Sequence, residues 1–180
     1  MSSRAILVVD LQNEYWPSGK FPLEGIDAAA SNAARVISHA RANRDLIVNI
    51  RHEMSDGPLF VPDSEGARIN DAVWPGAGES VITKHFPNSF RNTELHGLLK
   101  DKGIEEVIVV GAMSHMCIDA TVRAANDLGY RTTTIQDACA TRELVFDGAS
   151  APAKQVHATI MAALAFGYGE VISTDAFLAR

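Results

Sequence analysis

Six short apolar runs divide the chain: Ala5–Val9, Leu46–Ile50, Val81–Thr83, Val107–Val110, Thr132–Ile135 and Glu170–Ile172. They lack the strict alternation of a strand with one wet face, so they predict strands buried on both sides of a sheet. Between them the apolar spacing shifts to a helical period, over Asp27–Asn43, Thr93–Asp101, His115–Leu128 and Pro152–Phe166. Two of these stretches close on Lys102-Gly103 and Leu128-Gly129, where glycine suits a left-handed cap. The last helix opens on Pro152, a good first-turn residue. The order β-α-β-loop-β-α-β-α-β-α-β predicts right-handed crossovers. The expected fold is therefore α/β, with a doubly wound, mostly parallel six-stranded sheet in a three-layer αβα arrangement of Rossmann type.

Residues 53–80 break this rhythm, being long and rich in Pro, Gly, Asp and Ser. Connections of that length are usually functional, so the segment is either a pocket wall or a surface and subunit-contact loop. Its apolar members Phe60, Val61, Val73 and Trp74 need something to bury against.

Composition narrows the class. With 180 residues, 47% of them hydrophobic and 21% charged, the chain is expected to form one domain over 1–180 that folds without disulfides or structural metal. A net charge of −6 with no basic run argues against a nucleic-acid partner. Cys117 and Cys139 stand 22 positions apart, which fits neither a stapled secreted domain nor a C-x-x-C pair, so a reducing cytoplasm is the expected location. The five-residue run Ala5–Val9 is too short for a signal peptide or a membrane span, and no membrane partner is expected.

Ligands of open α/β sheets bind beyond the carboxyl ends of the strands. Asp10 ends the first run, Lys84 follows the third, and Cys117 lies just past the fourth, where a helical pattern begins. A thiol reacts as thiolate, and a nearby ammonium and a helix N-terminus both favour that form, so Lys84 and the helix opening near His115 are expected to ionise Cys117. Asp10 would relay the proton, first to a leaving amine and then from water. Each residue has a plain alternative: an inert core cysteine, a capping aspartate, a solvated lysine. Their coincidence at three strand ends is what favours the joint reading.

With these residues in place, the chain resembles the isochorismatase-like cysteine hydrolases. The likeness runs from Ala5 to about Leu178, through Leu-Val-Val-Asp10-Leu-Gln-Asn-Glu, then Lys84-His-Phe-Pro-Asn-Ser-Phe90-Arg-Asn-Thr93-Glu-Leu95. It continues through Val-Val-Gly111-Ala-Met-Ser-His-Met-Cys117-Ile-Asp-Ala-Thr121, Gly129-Tyr130 and Asp137-Ala-Cys139-Ala. The resemblance implies a catalytic triad of Asp10, Lys84 and Cys117. It also implies a cis peptide between Ala112 and Met113, and an oxyanion hole from the N–H groups of Met113 and Cys117.

Nicotinamidases of that superfamily carry an Asp-x-His and a further His for a metal. Here the stretch reads Ile50-Arg51-His52-Glu53-Met54, without Asp-x-His. His52 and Glu53 lack a third clustered ligand, so neither metal nor other cofactor is expected, and nicotinamidase activity is disfavoured. Gly76-Ala-Gly78 precedes a strand and lacks a third glycine, which removes the warrant for a dinucleotide site. Gln12, Trp16, Phe90 and His115 are the candidates to line a small substrate pocket. His115, two positions from Cys117, points away from it on a loop-to-helix turn and reads as a rim or helix-start residue. Cys139 reads as a packing residue, and His39 and His157 as packed or exposed helix residues.

The expected activity is hydrolysis of a small amide or related C–N bond through a Cys117 thioester. The alternatives are vinyl-ether hydrolysis of the isochorismatase type and a non-catalytic scaffold on the same fold. A homodimer or homotetramer is expected, completing a pocket or covering the long loop.

Overall fold

The structure, a computed structural model, describes residues 3–180. Strands β1 (Arg4–Val9), β2 (Leu46–His52), β3 (Ser80–Lys84), β4 (Glu106–Ala112) and β5 (Arg131–Ala140) follow in chain order. Next come β6 (Leu144–Phe146), β7 (Ala149–Ala151) and β8 (Glu170–Ile172). Six of them form one sheet in the order β3-β2-β1-β4-β5-β8, every neighbouring pair parallel, while β6 and β7 pair apart from it as an antiparallel hairpin. The helices are α1 (Ile26–Asn43), α2 (Leu95–Asp101), α3 (Asp119–Asp127), α4 (Ala153–Gly167) and α5 (Thr174–Leu178).

The unbroken apolar runs are explained by two cores. Ile6, Val8, Ile108 and Val110 face the layer containing α1 and Phe177 of α5. Their neighbours Ala5, Leu7, Val9, Val107 and Val109 face Leu95 and Leu99 of α2, Val122 of α3 and Leu164 of α4. The central stretches of β1 and β4 are therefore apolar without alternation, because alternate side chains enter opposite cores. Gly103 and Gly129 adopt the left-handed caps, at φ 65° and 93°.

The chain departs from the sequence expectation in four places. Asp147-Gly148, at φ 48° and 75°, makes the two-residue turn of the β6–β7 hairpin, whose short strands had no signal strong enough to stand out. Helix α5 follows Ser173, which caps it by accepting from the Ala176 N–H, so the helix after Pro152 is not the last. Pro152 itself stays extended at ψ 151° and precedes α4 instead of opening it. The helix expected from His115 begins as a π turn over Ser114–Ile118 and becomes α-helical only at Asp119. No helix among the described residues is long and apolar enough to cross a membrane.

Residues 53–79 are anchored, not loose. Three residues that follow Asp10 hold them: Gln12 donates to the Ala67 carbonyl at 2.7 Å, and Asn13 takes a hydrogen bond from Asn70 and gives one to Glu65. The buried Glu14 carboxylate accepts from the N–H groups of Lys20 and Phe60. Phe60 and Val73 are buried as expected of apolar members, whereas Val61 and Trp74 stay exposed, Trp74 under the Arg68 guanidinium.

Candidate active site

The order of connections reverses between β1 and β4, and the chemistry gathers at the carboxyl ends of four adjacent strands. Asp10 follows β1, His52 ends β2, Lys84 ends β3, and Cys117 lies in the turn after β4. Continued pleating would send Asp10 to the α1 face, the side of Ile6 and Val8. Its left-handed φ of 51° breaks the alternation, and the carboxylate meets Lys84 in the opposite layer. His52 and Lys84 are register partners in the parallel pair, so their side chains emerge together. Gly111, opposite Val9, has a φ of 132°, and a Cβ there would lie 1.9 Å from the Val9 carbonyl oxygen. Only glycine lets β4 approach β1 this closely beside Asp10.

An ammonium carries three N–H groups, and three groups able to receive them surround Lys84 Nζ. Asp10 Oδ2 stands at 2.6 Å, His52 Nδ1 at 3.0 Å and Cys117 Sγ at 3.3 Å. Asp10 and Lys84 are wholly buried and Cys117 is 6% exposed. Apart from the Lys84 ion pair and the neighbouring Cys117 thiol, the buried Asp10 carboxylate has no partner among the described residues. The peptide bond Ala112–Met113 is cis.

These charges bias one another. Burial would pull the Lys84 ammonium down, but Asp10 holds it above the usual lysine range. His52 is lowered to about 4, by burial first and by Lys84 second, so it is neutral and accepts at Nδ1. Cys117 departs from the sequence expectation. Burial and the Asp10 carboxylate push its thiol up, and Lys84 only partly opposes them. Burial therefore favours the thiol over the thiolate beside this carboxylate–ammonium pair, and the Asp10 charge adds to that bias.

The expected pocket residues disperse. Gln12 is wholly buried, with its amide donating to the carbonyls of His52 and Ala67 and accepting from the His52 N–H, so it braces the end of β2 and lines nothing. The Trp16 indole donates to Asp27 at the start of α1. Phe90 stacks on Tyr130 with ring centroids 6.2 Å apart and borders a surface cavity of about 460 Å³ with His96 and Leu128, whose lining includes none of Asp10, Lys84 and Cys117. His115 meets Thr141 Oγ1 at 2.6 Å. His157 reaches from α4 to Ser114 Oγ at 2.9 Å, a hydrogen-bonding role that its helical position did not reveal. The two histidines thus fasten the Cys117 turn to α4 and to the end of β5. His39 packs on Phe177, and Cys139 is buried with its thiol pushed up to about 12 by burial.

No group of three or more His, Cys, Asp or Glu side chains among the described residues is placed to hold a metal ion. His52 turns Nδ1 to Lys84, and Glu53 pairs with Arg51 at 2.8 Å.

Comparison with known proteins places this arrangement. The model of the Isochorismatase domain matches residues 4–176. The uncharacterized isochorismatase family protein YddQ of Bacillus subtilis (strain 168) is 46% identical over 97% of this chain and 98% of its own. Maleamate amidohydrolase of Pseudomonas putida is 30% identical, over 94% of this chain and 82% of its own. A crystal structure from Oleispira antarctica assigned as an isochorismatase hydrolase superposes with a TM-score of 0.95 at 45% identity, covering 98% of this chain and 96% of that one. The matched span holds Asp10, His52, Lys84 and Cys117, and the chain is a member of the isochorismatase family of hydrolases.

Proposed function

We propose that this hydrolase cleaves the C–N bond of a small amide through a covalent Cys117 thioester. The observation that carries the reading is the buried Lys84 ammonium, which holds a carboxylate and a thiol on one nitrogen. As Cys117 Sγ adds to the carbonyl carbon, its proton passes to the Asp10 carboxylate, and Lys84 turns from balancing Asp10 to balancing the nascent sulfur charge. The N–H groups of Met113 and Cys117 would receive the carbonyl oxygen as it becomes negative. Collapse breaks the C–N bond, and Asp10 returns the proton to the leaving nitrogen. Asp10 then takes a proton from water, hydroxide adds to the thioester, and the departing sulfur recovers the proton. The cycle is balanced without an external oxidant or reductant.

Ammonia or amine release from a panel of small amides and carbamoyl amines, with isochorismate alongside, tests this. Wild type is expected to turn over at least one C–N substrate and to show an acyl adduct on Cys117 by mass spectrometry, while Cys117→Ala does neither. Turnover of isochorismate alone would give the vinyl-ether reading; turnover unaffected by Cys117→Ala would refute the nucleophile. The homo-oligomer expected from the sequence is read by light scattering on the same preparation.

A further inference from the structure

We infer that His52 is a positioning residue for Lys84, and that residues 53–79 serve the site by holding its imidazole in place. The inference rests on the reading of Cys117 as nucleophile.

The three neighbours of Lys84 Nζ are unequal. Asp10 carries full charge at 2.6 Å, whereas the Cys117 thiol is neutral and stands at 3.3 Å. Charged acceptors bind an ammonium more strongly than neutral ones, so these two alone would let the nitrogen collapse onto Asp10. His52 Nδ1, at 3.0 Å, supplies the third fixed point that keeps Nζ between carboxylate and sulfur. To accept there, the ring carries its hydrogen on Nε2.

Everything around His52 restrains that ring. Its backbone N–H and C=O are both taken by the Gln12 amide, at 2.8 Å each. The edge-on Phe60 ring packs against the imidazole, centroids 5.4 Å apart and planes at 88°. Phe60 is itself held by its N–H to Glu14 Oε2 and by its carbonyl, which accepts from the Met54 N–H. Gln12 and Glu14 lie in the four residues that follow Asp10. One short stretch after β1 therefore supplies the base, clamps the histidine backbone and anchors the aromatic ring that sets its plane.

The test is iodoacetamide alkylation of the intact protein at pH 7.5, with the rates at Cys117 and Cys139 followed separately by peptide mass spectrometry. Asn carries its amide oxygen near the position of Nδ1, so His52→Asn retains the acceptor. His52→Leu removes it and keeps an apolar neighbour for Phe60. The expected result is a fall of at least about tenfold in Cys117 alkylation for His52→Leu, recovery to within about threefold of wild type for His52→Asn, and an unchanged slow rate at Cys139 in both. Cys117 alkylation in His52→Leu at or above the wild-type rate overturns the inference, as does a rise at Cys139 that shows general loosening. Wild-type Cys117 reacting no faster than Cys139 would instead overturn the nucleophile reading, and this one with it.

Discussion

Replacing Asp10 by asparagine separates two effects of one carboxylate. In the wild type it raises the Cys117 thiol and occupies the Lys84 charge. Asparagine keeps the shape and removes the charge, leaving the ammonium 3.3 Å from Sγ as the nearest strong field. The ammonium already acts on the sulfur in the wild type, so the change is the loss of repulsion between the Asp10 carboxylate and a Cys117 thiolate, about 4 kcal/mol for like charges about 4 Å apart at an effective dielectric of about 20. Each pKa unit corresponds to about 1.36 kcal/mol. Allowing half of that repulsion for relaxation, the thiol is expected to fall by about 1.5 pH units. The sign is opposite to the effect on catalysis, because without a proton acceptor and donor hydrolysis is expected to drop by a factor of about 10² to 10⁴. Thiolate absorbance at ultraviolet wavelengths, titrated against Cys117→Ala as baseline, reads the first effect, and amine release reads the second. Breaking a buried pair by removing one charge costs about 3–5 kcal/mol, and a newly formed Cys117 thiolate would offset part of it. Thermal unfolding should therefore show a lower but cooperative transition. An Asp10→Asn thiol that titrates at or above the wild-type value would refute the electrostatic account.

Three further outcomes are expected. The depressed His52 pKa, about 4 in the fold against about 6.5 unfolded, means the unfolded chain binds more protons between those values, so stability present above pH 6.5 is lost as pH falls through 4. The acid limb of the melting-temperature profile should be shallower in His52→Asn; identical limbs would show that His52 is not neutral in the fold. Gly111→Ala drives a Cβ to 1.9 Å from the Val9 carbonyl at a φ of 132° and should destabilise by about 3 kcal/mol or more, measured by urea unfolding; a loss under about 1 kcal/mol would contradict the close approach. Glu14→Ala orphans the N–H groups of Lys20 and Phe60, at about 1–3 kcal/mol per buried donor, and should speed limited proteolysis within residues 53–79 while leaving cleavage elsewhere unchanged.

Much of the fold was legible because it depends on short-range patterns. Strands buried on both faces read as mostly apolar runs without alternation, so β1, β2 and β4 announced themselves, and glycine at Gly103 and Gly129 marked helix ends that need positive φ. The hairpin over 144–151 and the five-residue α5 were too short for periodicity to separate from a loop, although Asp147-Gly148 was a turn signal that stood in view.

The chain by itself determined which residues end the strands, and therefore that Asp10, Lys84 and Cys117 would share one edge of the sheet. Distances and charge balance were decided only by tertiary structure. A protonation state depends on what surrounds a group in space: Lys84 suggested a thiolate, but burial first and the Asp10 carboxylate second push the Cys117 thiol up. His52 had no role assigned from the sequence until the parallel register of β2 and β3 set it beside Lys84. Gln12 read as a pocket residue until its amide was spent on the backbone of His52 and Ala67. Strand ends follow from local pattern, whereas partners follow from register, burial and the one left-handed residue that turns Asp10 across the sheet.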